Sequence, residues 1–161
     1  MIRPANAEDI SQIVKIWNPF IKDTTVTFSS QEKTPENIAQ MIQSRRAAGR
    51  EFLVAEDQGQ IAGFATYDQF RGGNGYRRAM EHTVILAPKV QGMGVGRQLL
   101  TAVEAHAKAA GVHTMVAGVS GENTAAIDFH RALGYKFVGL LPESGRKFDR
   151  WLDLVLLQKR L

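Results

Sequence analysis

The sequence predicts a single α/β domain, residues 1–161, built on an open mixed β-sheet with helices on both faces. Three observations lead to this fold class. Segments with helical periodicity alternate with apolar β-type runs along the whole chain. No repeat, low-complexity tract or linker interrupts them. A glycine-rich segment, Gln91–Gly96, lies between a predicted strand and a predicted helix. Helices that alternate with strands in this way are expected to cover a layered sheet.

The N-terminal part is predicted to form a short strand and two helices. Ile2–Arg3 is read as the strand, and Asn6 can cap a helix that begins at Ala7. The segment Thr34–Glu36 provides a cap, a proline at the first helical position and an acidic residue, so it predicts a second helix start. That helix is expected to continue to about Ala48, because a glycine follows.

The remaining elements follow from apolar runs bounded by glycines. One further helix is expected from the glycine segment to about Ala110 and another over Asn123–Leu133, each followed by a glycine. Arg71–Arg78 is a polar, glycine-rich loop. Trp151 and Leu154 are expected to pack in the core. The predicted strands are Phe52–Glu56, Ile61–Tyr67, Glu81–Leu86, Val112–Val119, Tyr135–Leu140 and Trp151–Gln158.

The composition excludes several classes of protein. The chain has no cysteine, which excludes disulfides, thiolate metal sites and an acyl-cysteine intermediate and suits a reducing cytoplasm. We expect no metal. We also expect no membrane partner, because no run approaches the roughly 18 apolar residues of a membrane span. The polar N-terminus is not expected to be a signal peptide. The net charge of +4 comes from dispersed basic residues, so we expect no nucleic acid partner. An anionic cofactor and an acidic small substrate would explain this charge, and so would solubility alone.

The glycine segment predicts a phosphate site. Gly92, Gly94 and Gly96 allow backbone N–H groups to approach an anion at the start of a helix. A Walker A loop is excluded because Arg97 and Gln98 follow the last glycine, and the G-x-G-x-G spacing does not match the dinucleotide fingerprint. The segment therefore indicates another phosphorylated cofactor, or else an ordinary glycine-rich turn.

The spacing Gln91-x-x-Gly94-x-Gly96 resembles the pyrophosphate loop of the GNAT superfamily of acetyl-CoA-dependent N-acetyltransferases, and the order of predicted elements matches the GNAT fold. Within that superfamily the chain resembles the phosphinothricin and methionine sulfoximine acetyltransferases. This resemblance implies acetyl-CoA as co-substrate, a homodimer, and an acceptor α-amine on a small amino acid with an oxidised sulfur or phosphorus side chain. It rests on Glu81-His82-Thr83, Asn123–His130, Leu133-Gly134-Tyr135 and Lys147–Leu154.

The resemblance also implies which residues hold acetyl-CoA. The edge of the Val84–Leu86 strand is expected to pair with the pantetheine amides as an added strand would. The backbone of the glycine segment is expected to hold the pyrophosphate, with Gln91 at a position where many relatives have arginine. Asn123 contacts the pantetheine arm, caps its helix, or does both. The complete predicted set is Val84, Ile85, Leu86, Gln91, Gly92, Met93, Gly94, Val95, Gly96 and Asn123.

Two residues are candidates for proton transfer. The family places a glutamate at the position of Glu81, where it acts as base through water; an exposed strand-end carboxylate is the alternative. His130 stands where many GNAT proteins have a tyrosine acid, so it either protonates the thiolate, contacts the cofactor or is structural. A backbone N–H near Leu86 is expected to hold the oxyanion. Because the chain has no cysteine, we expect direct attack in a ternary complex.

The acceptor is expected to bind beside the sheet. Arg71 lies in the family's substrate loop and can bind a carboxylate, whereas Gly72 and Gly73 replace bulkier residues and predict a wider pocket or a mobile loop. Phe28 is either an aromatic wall or part of the core. Two alternatives stay open: a protein N-terminal or lysine acetyltransferase with an open peptide groove, and a non-catalytic acyl-CoA-binding or nucleic-acid-associated module.

Overall fold

The computed structural model describes residues 1–161 and contains one mixed seven-stranded sheet with four α-helices. The predicted order of elements is confirmed. The helices are α1 (Ile10–Asp23), α2 (Pro35–Ala47), α3 (Val95–Ala109) and α4 (Thr124–Ala132). The strands are β1 (Ile2–Pro4), β2 (Phe52–Asp57), β3 (Gln60–Gln69), β4 (Ala79–Leu86), β5 (Thr114–Ser120), β6 (Lys136–Lys147) and β7 (Arg150–Arg160).

The strands lie in the order β1-β2-β3-β4-β5-β7-β6, and every neighbouring pair is antiparallel except β4 and β5. Helices cover both faces, as predicted. On one face α1 and α2 pack Trp17 and Ile38 against Phe52 and Phe64 of the sheet. On the other face α3 buries its apolar side, including Leu99, in a second and larger cluster. No helix has the length and apolar composition that crossing a membrane requires.

The predicted helix caps are confirmed in their chemistry. The Asn6 side chain accepts a hydrogen bond from the N–H of Glu8, although the first turn, Ala7–Asp9, is a 3₁₀ turn rather than α-helix. Thr34 and Asn37 exchange side-chain and backbone hydrogen bonds in a capping box at the start of α2. Each cap satisfies N–H groups that have no partner inside the helix.

The last hairpin is longer than predicted. We expected a strand to end at Leu140, but β6 continues to Lys147, with a shift in its pairing to β7 between Leu141 and Gly145. Pro142 lies within that shift, which an edge strand tolerates because its outer N–H groups need no partner strand. The prediction that Trp151 packs in the core is wrong. Trp151 is 57% exposed and lies opposite Arg146, whose guanidinium carbon is 4.6 Å from the ring centre.

The centre of the sheet opens between β4 and β5. Only Ala79–Glu81 of β4 pair with β5, where their partners are Thr114–Val116. Beyond Glu81, β4 continues to Leu86 without β5 beside it. The N–H of Ala87 donates to Ala62, and the N–H of Phe70 donates to Ala79, so the odd-numbered residues of β4 bond to β3. Because backbone direction alternates along a strand, Val84 and Leu86 direct their N–H and C=O groups into the opening.

We predict that Gly63→Ala destabilises the fold by about 1–3 kcal/mol through overpacking. A Cβ at Gly63 on β3 would lie 2.7 Å from the backbone oxygen of Ile85, and β4 cannot move away without disturbing the opening beside it. Urea unfolding followed by circular dichroism measures the change. Gly139→Ala is the matched control, because no atom lies within 4 Å of a Cβ at that strand position. Equal stability of the two variants would contradict the prediction.

Candidate active site

A cavity of about 790 Å³ occupies the opening between β4 and β5. Its floor is β4 from Glu81 to Leu86, together with Gly118–Ser120 of β5. The start of α4 and the glycine segment close one side. The loop that joins α1 to α2 closes the other with residues 26–29. The cavity therefore brings together the predicted cofactor strand, Asn123, Glu81, His130, Phe28 and part of the glycine segment. Of that segment Gln91, Gly92 and Gly96 line the cavity, whereas Met93, Gly94 and Val95 do not.

Glu81 lies at the point where β4 and β5 separate. Its carboxylate lies over Gly118, and a Cβ at that glycine would be 2.7 Å from Oε1 of Glu81. The carboxylate has no ion pair and no hydrogen bond to another side chain or to the backbone, and desolvation raises its pKa above the ordinary glutamate value. A half-buried carboxylate with an elevated pKa and direct access to the cavity is suited to accept a proton.

The glycine segment presents fewer free amides than its length suggests. The N–H of Gln91 donates to Pro88, and the N–H of Met93 donates to Val90, so the turn itself uses both groups. The side chain of Met93 is 68% exposed. The N–H groups of Gly92 and Gly94 have no backbone acceptor.

The remaining free amides begin α3. Val95 and Gly96 have no preceding helical turn that offers a carbonyl. Gly94 immediately before them has φ +83°, which a residue with a side chain rarely adopts. With Gly92, these positions form a local concentration of N–H donors at the positive end of the helix dipole, where they fit a pyrophosphate.

The rest of the cavity fits the arm of the same cofactor. Val84 and Leu86 offer free backbone groups that can pair with two amides of an extended chain. Asn123 caps α4, since its Oδ1 accepts from the N–H of Ala126 at 3.1 Å, and the residue also lines the cavity. Gly96 keeps α3 close to this arm, because a Cβ there would be 3.2 Å from Leu86 and 3.3 Å from Phe129. The residues present therefore fit acetyl-CoA.

His130 lies on the cavity wall as a neutral ring in one tautomer. Its Nδ1 is 2.7 Å from the carbonyl oxygen of Ala126, which only accepts hydrogen bonds, so Nδ1 carries the proton and Nε2 is left as an acceptor. Burial lowers the pKa of this imidazole. Its ring stacks on that of His82 at a centroid distance of 5.1 Å.

His82 lies on the cavity wall without a role predicted from the sequence. Position 82 points towards α3 and α4, whereas Glu81 and Thr83 point to the other face, because side chains alternate along β4. Both ring nitrogens of His82 are buried without a partner, and burial lowers its pKa to about 3. The sequence signal that could have identified His82 is a polar residue at an inward-facing position of a strand.

Phe28 is held in the cavity wall by two long-range contacts. Its ring lies directly on Gly145 of β6, where a Cβ would be 2.3 Å from the ring. The buried Nζ of Lys147 donates to the carbonyl oxygen of Thr27 at 2.7 Å. The α1–α2 loop is thereby fastened to the β6–β7 hairpin, and Phe28 is a wall of the cavity rather than part of the core.

The predicted carboxylate-binding loop lies outside this cavity. The guanidinium of Arg71 is 5.5 Å from the ring of Tyr76, and the Gln69 side chain donates to the carbonyl oxygens of Arg71 and Gly73. Arg71, Gly72 and Gly73 are exposed. No lysine or arginine lines the cavity, whose ionisable groups are Glu81, His82 and His130.

Comparison with known proteins matches residues 2–156 to the acetyltransferase (GNAT) domain. The L-amino acid N-acyltransferase MnaT of Escherichia coli is 35% identical, over 99% of this chain and 93% of that protein. The L-methionine sulfoximine/L-methionine sulfone acetyltransferase of Pseudomonas aeruginosa is 37% identical, over 99% and 94%. The phosphinothricin N-acetyltransferase of Alcaligenes faecalis is 32% identical, over 99% and 82%.

Two solved structures agree closely with this fold. The ribosomal-protein-alanine N-acetyltransferase of Brucella melitensis has a TM-score of 0.97 at 36% identity and covers 100% of this chain and 99% of its own. The acetyltransferase yncA of Salmonella typhimurium, solved with its cofactor acetyl-CoA, has a TM-score of 0.96 at 34% identity, with 100% and 93% covered.

We predict that Gly145→Ala weakens acceptor binding roughly tenfold and leaves acetyl-CoA binding unchanged, because the new methyl group displaces Phe28 from the wall. Steady-state KM for the acceptor and calorimetric Kd for acetyl-CoA measure the two effects. Gly139→Ala on the same strand is the control.

Phe28→Leu tests the contact from the other side. If Phe28 and Gly145 act through their contact, the double variant will bind acceptor no more weakly than Phe28→Leu alone. If the losses of acceptor binding in the two single variants add up in the double variant, the two residues do not act through their contact.

Proposed function

Because the chain belongs to the GNAT family of acetyltransferases, we propose that it transfers the acetyl group of acetyl-CoA to the α-amine of a small amino-acid analogue. The analogue is of the phosphinothricin, methionine sulfoximine or methionine sulfone type, as the names of its relatives suggest. The observation that carries the proposal is a walled cavity that joins free phosphate-binding amides to an unpaired carboxylate, Glu81.

The chain's residues bind and orient the reactants in the proposed reaction. When bound, acetyl-CoA supplies the acyl group. The amides of Gly92, Gly94, Val95 and Gly96 hold its pyrophosphate, and the free backbone of Val84 and Leu86 aligns its arm along β4. The Leu86 N–H points into the opening, where it stabilises negative charge on the reacting carbonyl oxygen. Asn123 contributes its remaining amide N–H groups beside the arm.

Glu81 is the proposed base. The acceptor enters as an ammonium ion and must lose a proton before its nitrogen attacks the thioester directly, without an acyl-enzyme step. The elevated pKa of Glu81 makes it a stronger base than an exposed glutamate, and its cavity position allows proton transfer through water. His130 is the proposed proton donor to the sulfur. Its Nε2 passes on the proton that the leaving thiolate gains.

The small acceptor is favoured over a polypeptide because the α1–α2 loop covers the cavity. Phe28 and Lys147 hold this loop on the β6–β7 hairpin, so the loop closes one side of the cavity at the reacting centre. The second candidate acceptor is the N-terminus of a protein, because the Brucella melitensis neighbour is named for a ribosomal-protein substrate. Arg71 stays our proposed partner for the acceptor carboxylate, with Gly72 and Gly73 allowing its loop to move towards the cavity.

We also propose a homodimer. β6 is an edge strand whose outer N–H and C=O groups have no partner strand. Four of its apolar side chains are about half exposed, an arrangement typical of a surface that another chain covers. They are Phe137, Val138, Leu140 and Leu141. The cysteine-free sequence and the use of acetyl-CoA support a cytoplasmic location for this single-domain enzyme.

The acceptor proposal is tested by thiol release from acetyl-CoA with a panel of amines. The panel contains L-phosphinothricin, methionine sulfoximine, methionine sulfone, ordinary amino acids, polyamines and a basic peptide. We expect turnover on the sulfur and phosphorus compounds. Turnover on the peptide alone would replace the proposed acceptor with the second candidate. No thiol release with any amine, together with tight acetyl-CoA binding, would reject both acceptors.

Glu81→Gln is predicted to lower kcat/KM on the best acceptor roughly 100-fold without weakening acetyl-CoA binding. In the wild type, kcat/KM rises with pH as Glu81 loses its proton, and burial places that rise above the ordinary glutamate pKa. The glutamine variant lacks this rise. Glu36→Gln, at an exposed carboxylate of α2, is the control. An unchanged pH profile would remove Glu81 from the mechanism.

Leu140→Asp is predicted to convert the dimer to a monomer, because it places a charge in the apolar strip of β6. Size-exclusion chromatography with light scattering measures the mass. Ala105→Asp, at an exposed position of α3, should stay dimeric. A monomeric wild type, or a dimeric Leu140→Asp protein, would contradict the proposed interface.

A further inference from the structure

His130 belongs to a buried polar cluster that extends from the cavity wall into the protein, and the proposed reaction has used only His130 of this cluster. His82 of β4, His130 of α4 and Tyr135 after α4 are only 8%, 4% and 2% exposed. Their rings are mutually in contact, with centroids 5.1 to 5.7 Å apart. Glu104 of α3 and Lys159 of β7 complete the cluster on the side away from the cavity.

The cluster contains polar atoms that need partners. Both nitrogens of His82, Nε2 of His130, Oη of Tyr135 and Oε1 of Glu104 are buried without a hydrogen bond. Leaving such atoms unpaired destabilises the fold, so a group of them in one place indicates a role beyond packing.

The charges in the cluster are arranged around His130. Lys159 Nζ forms an ion pair with Oε2 of Glu104 at 2.6 Å, and Oε1 of the same carboxylate is buried without a hydrogen bond. Tyr135 lies beside both Glu104 and the His130 ring, and burial together with the Glu104 charge raises the pKa of its hydroxyl. The hydroxyl therefore keeps its proton and can bridge the two groups, directly or through water.

The two stacked imidazoles differ in their surroundings. Burial lowers the pKa of His130, and the hydrogen bond to Ala126 and then the Glu104 charge oppose this effect. No such anion supports His82, and the neighbouring His130 lowers its pKa further. The other carboxylate nearby, Glu81, points to the opposite face of β4. The Nδ1 of His130 is committed to Ala126, so any proton that this ring gains must go to Nε2.

We propose that Glu104 and Tyr135 are positioning residues that allow His130 to hold a proton at Nε2 during acetyl transfer. The inference rests on the proposed function. The acceptor ammonium loses two protons in forming the amide, the first of them before its nitrogen attacks. One passes through Glu81 to solvent, and the other passes to Nε2 and then to the thiolate, so that each turnover releases one proton overall. In the charged state, Glu104 stabilises the imidazolium through the Tyr135 hydroxyl.

The test titrates the histidines by NMR and needs no acceptor. The chain has four histidines, so the ring signals can be assigned by single substitutions. Tyr135→Phe and Glu104→Gln are each expected to lower the protonated fraction of His130 at a given pH roughly tenfold, equivalent to about one pH unit in its titration. Tyr67→Phe is the matched control, because Tyr67 Oη bonds Nδ1 of His106 at 2.8 Å outside the cluster.

Kinetics test the same inference on the best acceptor. The acid side of the kcat profile should move to lower pH in both cluster variants and stay in place in Tyr67→Phe, with acetyl-CoA affinity unchanged in all three. An unmoved His130 titration and an unmoved profile in both variants would overturn the inference and leave a packing role. A shifted titration with no turnover on any panel acceptor would reject the proposed function while supporting the link from Glu104 to His130.

Discussion

The separation of β4 from β5 after Glu81 is the constraint on which the rest of this structure depends. A central strand normally pairs on both sides, yet Val84 and Leu86 direct N–H and C=O groups into an opening. These backbone groups have no partner strand, so this edge is suited to a ligand that can take the place of a strand. The same separation leaves room for the Glu81 carboxylate over Gly118, and it sets α3 and its free amides beside the strand end.

The alternation of side chains along β4 divides the chemistry between two environments. Glu81 faces the α1–α2 side, where the cavity is open to an acceptor and the carboxylate has no cation beside it. His82 faces the α3–α4 side and stacks on His130, where polar groups are buried in a closed cluster. In the proposed reaction, the pKa of Glu81 and the pKa of His130 are therefore set by different surroundings, although Glu81 and His82, which stacks on His130, are adjacent in sequence.

Local signals were sufficient to predict much of this molecule. The caps at Asn6 and Thr34 and the glycine segment depend on residues within a few positions of one another, so the sequence predicts them directly. The Phe28–Gly145 contact joins residues far apart in the chain, and a glycine that accommodates a ring looks like any other glycine. The prediction that Trp151 is buried was wrong for a related reason. The hydrophobicity of a residue in an edge hairpin does not show whether the rest of the chain packs over its face of the hairpin.

The buried cluster shows how fold and function are linked at one position. Tyr135 follows the glycine that ends α4, so local structure directs it inwards, but its neighbours Glu104 and Lys159 come from α3 and β7. The chain thus supports a buried histidine with a carboxylate that is itself held by a lysine at the protein surface. An ion pair in this place costs desolvation energy that an apolar residue would not. Since packing alone would favour the apolar residue, this partly buried ion pair supports the proposal that Glu104 stabilises a proton on His130.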